Sequence, residues 1–296
     1  MIGDAVSGPM RVGLAFPHAH VAGDVDRLRQ LVTGIEELGL DHLNVFDHVL
    51  GADPADREPP LTGPYDQHDP FHEPLVLFGY LAAITTRLEL ATAVLVLPQR
   101  PVALVAKQAI EVDRLSGGRL RLGVGVGWNH VEYESLGATF RDRGDRLDDQ
   151  LALLRRLWDE PLVTHRSPHH RVERAGLLPR PTGPLALWLG GYTAAARRRA
   201  VRWGDGFSFS DLAGAARDVP RLREELAAAG RDPAGFGFDV LVHHRGDDRR
   251  WREDVAACRR LGATHVTMAV HRLGDLGTDA LLAVVERGAG EVRRST

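Results

Sequence analysis

LELATAVLVLPQRPVALVAKQAIEVDRLSGGRLRLGVGVGWN, residues 88–129, decides how this chain is read. Residues 88–98 are an apolar run stopped by Pro98, which reads as a strand. VALVAKQAIEVDRLS then carries apolar residues at helical spacing and stops at Gly117-Gly118, where glycine suits the left-handed turn that closes a helix. RLRLGVGVG, residues 119–127, returns to strand character. A strand, a crossover helix and another strand in so short a span pair their strands in parallel.

Working outward, the same alternation runs through the chain. Strands are expected at 11–17, 42–48, 88–98, 119–127, 184–191, 206–210, 237–244 and 265–270, each followed by a helical pattern. Eight such units in 296 residues predict an α/β fold, a (β/α)8 TIM barrel, with a doubly wound open sheet as the alternative. Two segments interrupt the rhythm. Gly51 to Asp69 is rich in Pro, Gly and Asp and too long for a plain connector, so it reads as a lid or a disordered loop after strand two. Residues 161–183, rich in Pro, His and Arg, read as an insertion before strand five. Residues 1–10 are expected to be a flexible tail and 11–296 a single domain.

Composition excludes several partners. A net charge of −3 gives no reason to expect nucleic acid or an anionic membrane. The single cysteine, Cys258, allows no internal disulfide and no cysteine-based metal cluster, which fits a reducing cytoplasm. MIGDAVSGPM lacks the basic and apolar regions of a signal peptide, and the apolar stretch Leu75 to Ile84 is too short to span a bilayer. A cytoplasmic protein is the expectation.

In a (β/α)8 barrel the functional groups sit where the strands end. Strand one exits through Phe16-Pro17-His18-Ala19-His20, strand two through Asp47-His48, and strands seven and eight through His243-His244 and His271. A cleft rich in imidazole can move protons near neutral pH, although a solvated strand end also tolerates any polar residue. Gly125-Val126-Gly127-Trp128-Asn129 leaves backbone clear for a flat ligand. Gly190-Gly191-Tyr192 precedes Thr193, a plausible N-cap whose helix start offers N–H groups to a phosphate. Tight turns also want glycine, so both loops keep two readings. The spacing of GVGVGWNH is not that of the dinucleotide fingerprint.

FDHV (46–49), residues 88–149 and LWLGGYTAAARRRAVRWGDGF (187–207) resemble the luciferase-like monooxygenase superfamily, in particular its branch of oxidoreductases that use coenzyme F420. The resemblance is good over residues 11–210 and loose beyond. It implies a barrel with a flavin-type cofactor at its mouth. It implies that His48 is catalytic, acting in proton transfer or charge stabilisation during hydride transfer, and that Asp47 contacts the ring's polar edge or orients the pocket. It implies a non-proline cis peptide at Ala93-Val94 behind the ring. Gly127, Trp128, Gly190, Gly191, Tyr192 and Thr193 match the loops that hold the cofactor's phosphate and side chain, and Phe16 and His18 fall on the substrate pocket. Sugar-phosphate dehydrogenases of this superfamily carry a catalytic glutamate where this chain has Trp128, so that role does not transfer and a sugar phosphate is doubtful as substrate.

The expected activity is hydride transfer between F420 and a small organic substrate. An FMN-dependent monooxygenase, supplied by a flavin reductase, is the alternative on the same fold. A metal-dependent hydrolase is a further reading, from the His18-Ala19-His20 pattern, although strands five and six lack the histidines it needs. No metal is expected for the main reading. A homodimer is expected, using apolar surface on the helices near 72–115.

Overall fold

The computed structural model describes residues 8–274 and 276–294. Most of the expected tail, residues 1–7, lies outside the described residues. The strands in chain order are β1 (Arg11–Ala15), β2 (His42–Val45), β3 (Glu89–Thr92), β4 (Leu95–Val96), β5 (Leu120–Gly125), β6 (Val163–Arg166), β7 (Arg171–Ala175), β8 (Ala186–Gly190), β9 (Gly206–Phe209), β10 (Gly237–His243) and β11 (His265–Ala269). They pair in the order β3-β2-β1-β11-β10-β9-β8-β5-β4, all in parallel, and β3 also pairs with β5. That last pairing closes the sheet into an eight-stranded barrel and removes the open-sheet alternative. β4 continues the third barrel strand beyond a break. The insertion before the fifth barrel strand is a small antiparallel hairpin, β6 with β7.

The strands alternate strictly. Leu43, Val45, Leu90, Leu120, Leu122, Val124, Leu187, Leu189, Val240, Val266 and Met268 are all buried in the apolar core between sheet and helices. The helices turn apolar stripes to that core. Val102–Ser116, for example, buries Val105, Ala109, Ile110 and Val112 and closes at Gly117, φ 72°, whose N–H bonds to the Arg114 carbonyl.

The alternate positions of the strands point into the barrel, and there the residues are polar. Arg121 of β5 lies 2.5 Å from Glu89 of β3 and 3.0 Å from Asp239 of β10, with its guanidinium 4.4 Å from the Trp188 ring of β8. Asn44 of β2 donates to Asp239 at 2.9 Å and to Thr267 of β11 at 2.7 Å, while Thr267 donates to Asp239 at 2.8 Å. Arg11 of β1 adds a 2.7 Å bond to Glu89. His42 stands 2.9 Å from the Thr267 hydroxyl. Gly206 of β9 leaves room for the Trp188 ring, which a Cβ there would strike. Buried charges of this kind persist only when each is paired and its remaining hydrogen-bonding capacity is used.

This interior should make the fold acid-sensitive. Burial alone would raise the Glu89 carboxyl, but Arg121 and Arg11 outweigh it and bring it from 4.5 to about 2. Burial drives the His42 imidazole down from 6.5 to about 4. Both folded values lie below the unfolded ones, so the unfolded chain takes up protons first and stability is lost as pH falls. The His42 contribution goes between 6.5 and 4, and that of Glu89 between 4.5 and 2. Thermal unfolding followed against pH should show the midpoint dropping through both windows. A midpoint that stays level from 6.5 down to 4 contradicts a neutral, buried His42.

Candidate active site

The mouth of the barrel is built around the break between β3 and β4. The Ala93–Val94 peptide there is cis, as expected. Val94 turns inward, and the neighbouring strands make room for it. A Cβ at Gly125 would sit 2.6 Å from Val94 Cγ2, one at Gly190 2.7 Å from Val94 Cγ1, and one at Gly123 would strike the Thr92 carbonyl. Thr92 also donates from its hydroxyl to the Gly123 carbonyl at 2.7 Å. Gly127, φ 64°, accommodates Val96 of β4. The glycines read from sequence as clearance for a flat ligand therefore first serve the bulge; their nearest neighbours are protein atoms.

Asp47 pins this bulge. Its buried carboxylate accepts from the Val96 N–H at 2.8 Å and takes Arg100 bidentately, Nη2 at 2.6 Å and Nε at 3.2 Å. Arg100 reaches on to Glu73 at 2.8 Å, and Glu73 caps the helix Pro74–Ile84 by accepting from the Val76 N–H. Three chain segments are thus tied by charge-assisted bonds, the strongest kind available to side chains. Both oxygens of Asp47 are engaged in this way, which makes it an orienting group of the pocket.

Beside it, His48 stands in an aromatic enclosure. Its ring centroid lies 4.7 Å from Phe71, 5.2 Å from Tyr65 and 5.6 Å from Trp128. Tyr65 comes from the long loop after β2, and Gly63 of the same loop packs directly on the Trp128 ring. The segment expected to be a lid thus lies over His48. Burial pushes the Tyr65 phenol up to about 12, so it stays protonated. His18 joins the cluster through Phe71 at 4.9 Å and Phe16 at 4.9 Å. Its Nδ1 accepts from the His72 N–H at 3.1 Å. Burial first, then His72 and His48, bring it down to about 3, which makes it a neutral imidazole. Its Nε2 has no hydrogen-bond partner, and neither does the side-chain amide of buried Gln99 at the exit of β4.

One contact lies outside the sequence-based expectations. Asn129 caps the short helix His130–Ser135, its Oδ1 accepting from the N–H groups of Val131 and Glu132. That turn brings the buried carboxylate of Glu132 to the exit of β2. Glu132 Oε1 accepts from the N–H groups of Val49 at 2.6 Å and Leu50 at 3.0 Å, and Oε2 lies 3.3 Å from His48 Nδ1. The available signal was a glutamate three residues after a capping asparagine; its target on another strand was invisible.

The remaining expected residues are more scattered. Thr193 does cap the helix Ala194–Trp203, its hydroxyl accepting from the Ala196 N–H at 3.3 Å. Gly191 takes φ 145°, and Tyr192 is 70% exposed, so this loop forms a rim. His243 and His271 form a second pair, ring centroids 4.8 Å apart. His244 instead faces the outer helix, 3.2 Å from Asp248 and against Trp251. The hydrolase reading finds no site: among the described residues no three His, Cys, Asp or Glu side chains are placed to share a metal ion.

A closed parallel barrel whose mouth gathers a histidine–carboxylate pair among aromatic rings defines a TIM-barrel protein. The chain belongs to the luciferase-like monooxygenase family, whose model matches residues 10–280. An uncharacterized protein of Mycobacterium tuberculosis is 33% identical over 220 residues, covering 72% of this chain and 76% of the relative. An F420-dependent glucose-6-phosphate dehydrogenase of Kineococcus radiotolerans is 29% identical, covering 84% and 75%. An FMNH2-dependent dimethylsulfone monooxygenase of Pseudomonas fluorescens is 28% identical, covering 76% and 62%. Among solved structures, an F420-dependent secondary alcohol dehydrogenase matches with TM-score 0.76 at 15% identity, over 96% of this chain and 99% of the other. The family thus includes relatives that use F420 and relatives that use reduced FMN.

The bulge supplies a test of this geometry. Gly125→Ala should destabilise the protein by about 1–3 kcal/mol, because the added methyl meets Val94. Adding Val94→Ala should recover most of that loss. Urea unfolding of the single and double variants reads it, and strictly additive losses would show that the two side chains do not compete.

Proposed function

We propose that this chain is an oxidoreductase that transfers a hydride between coenzyme F420 and a small, uncharged organic substrate. The observation that carries the reading is His48, held by a buried carboxylate inside an aromatic enclosure next to the cis Ala93–Val94 bulge. The residues present fit a flat redox cofactor. His18 Nε2 and the Gln99 amide are buried polar groups still lacking partners, which the polar edge of such a ligand would satisfy. Ala93 and Val94 would back the ring, while Gly190, Gly191, Tyr192 and Thr193 would hold the phosphate, with Gly127 and Trp128 alongside. F420, when bound, supplies a ring that accepts or gives a hydride.

The chain's own residues do the rest. His48 exchanges a proton with the substrate oxygen. Trp128, Tyr65 and Phe71 exclude water from that exchange. Phe16, His18 and the aromatic rings favour an apolar substrate, and Trp128 occupies the position where a glutamate would serve a sugar phosphate. A second reading keeps the site and replaces F420 by FMN, delivered reduced by a flavin reductase; the 28% identical FMNH2-dependent relative favours it. The active unit is a homodimer: the helices Pro74–Ile84 and Val102–Ser116 expose Val76, Leu104 and Leu115, apolar residues suited to a partner surface. No helix among the described residues is long and apolar enough to cross a membrane.

Fluorescence titration with F420 and with FMN in parallel tests the cofactor. Saturable binding of F420 alone is expected; preference for FMN turns the reading to the monooxygenase. With a substrate in hand, His48→Ala should lower turnover by about 10²–10⁴-fold while the protein still binds cofactor. Unchanged turnover removes His48 from the chemistry. Sedimentation should give twice the chain's 32.4 kDa, with Leu104→Glu shifting it to the single mass; a single mass for the unaltered chain contradicts the dimer.

A further inference from the structure

We propose that Glu132 is a positioning residue that fixes the tautomer of His48, with the proton on Nδ1 and the lone pair on Nε2. The catalytic meaning of this arrangement rests on the role given to His48 above; the tautomer itself does not.

Glu132 is 1% exposed, so its hydrogen bonds are made to protein. Oε1 faces the N–H groups of Val49 and Leu50, which can only donate. Oε2 faces His48 Nδ1 at 3.3 Å. An ionised carboxylate only accepts, so the nitrogen facing it carries the hydrogen. The neutral imidazole then has its acceptor at Nε2, on the side of the ring away from Glu132, and the ring as a whole packs among Phe71, Tyr65 and Trp128. His48 therefore meets a substrate as a proton acceptor, ready to take a hydroxyl hydrogen. In the reverse direction it returns that proton from Nε2. All three of the carboxylate's partners lie in the single segment 48–50, so Glu132 also fixes the backbone that carries the imidazole.

Glu132, four residues after Trp128, brings a carboxylate to the imidazole itself.

The substitution Glu132→Gln separates this role from packing. The side chain keeps its size. Its carbonyl oxygen must remain on the two backbone donors, which turns the NH2 group towards Nδ1. That nitrogen must then accept, and the hydrogen moves to Nε2. The tautomer should invert with little change in the fold.

The measurement is 15N multiple-bond NMR of the imidazoles in the protein without cofactor. His48 is assigned by the signal lost in His48→Gln, and both proteins are read at the same mildly alkaline pH. The unaltered protein should show the Nδ1-protonated form and Glu132→Gln the Nε2-protonated form. An Nε2-protonated ring in the unaltered protein, or the same form in both, overturns the proposal. The unaltered protein decides the first point even where the variant fails to fold. Because this readout needs neither cofactor nor substrate, it stands apart from the F420 assignment: failure of F420 to bind leaves it untouched. Turnover then tests the meaning. Glu132→Gln should lower kcat with little change in KM, and an inverted tautomer with unchanged kcat would remove His48 from proton transfer.

Discussion

A guanidinium sits inside the barrel, and the rest of the structure is arranged around it. Arg121 cannot be left there unpaired, because an isolated buried charge costs far more than any packing gain. Glu89 and Asp239 neutralise it from opposite parts of the wall, and Trp188 covers its face. Asn44 donates to the same Asp239 oxygen as Arg121, and Thr267 donates to the other. Slipping any of these strands by one residue would turn its polar group into the apolar layer beneath the helices. The interior network therefore sets register. It does so for β2, β3, β5, β10 and β11 together, so it also sets the heights at which those strands end.

The mouth inherits that order. Beyond Arg121, at Gly123 and then Gly125, β5 carries no inward side chain; the Thr92 carbonyl takes the first space and Val94 the second. Asp47 holds the far side of the bulge through Val96 and Arg100. His48 follows Asp47 directly, so the same turn that pins the bulge presents the imidazole. The long loop then returns to put Tyr65 and Phe71 against it. Residues from β2, β4, the turn after β5 and the loop converge because the network below leaves them little freedom.

Much of the architecture was legible in the sequence, for local reasons. The strand–helix alternation, the Gly117 closure and the Thr193 cap are all properties of contiguous residues. The resemblance carried the cis peptide. What the sequence concealed depends on contacts between distant strands. The alternation in RLRLG and HLNVF contains the inward polar face, but reading it as such requires knowing that the barrel interior here is polar; branched apolar residues usually fill it. The GVGVG glycines were visible, yet their reason, the bulk of Val94 on another strand, was not. Glu132 lies on a short helix, and only the cap at Asn129 together with the barrel closure puts its carboxylate on His48. The sequence supplied the residues at the strand exits. The fold decided which of them meet: His18 and His48 share the aromatic cluster, while His244 turns away to Asp248.

The central claim is that a redox cofactor's ring rests at the bulge with His48 beside it. A crystal structure of the chain soaked with F420 tests this most directly. The account predicts ring density against Ala93–Val94 within contact of His48, and phosphate density at Thr193. Well-ordered F420 bound anywhere else, or no F420 density at the bulge at saturating F420, would contradict it.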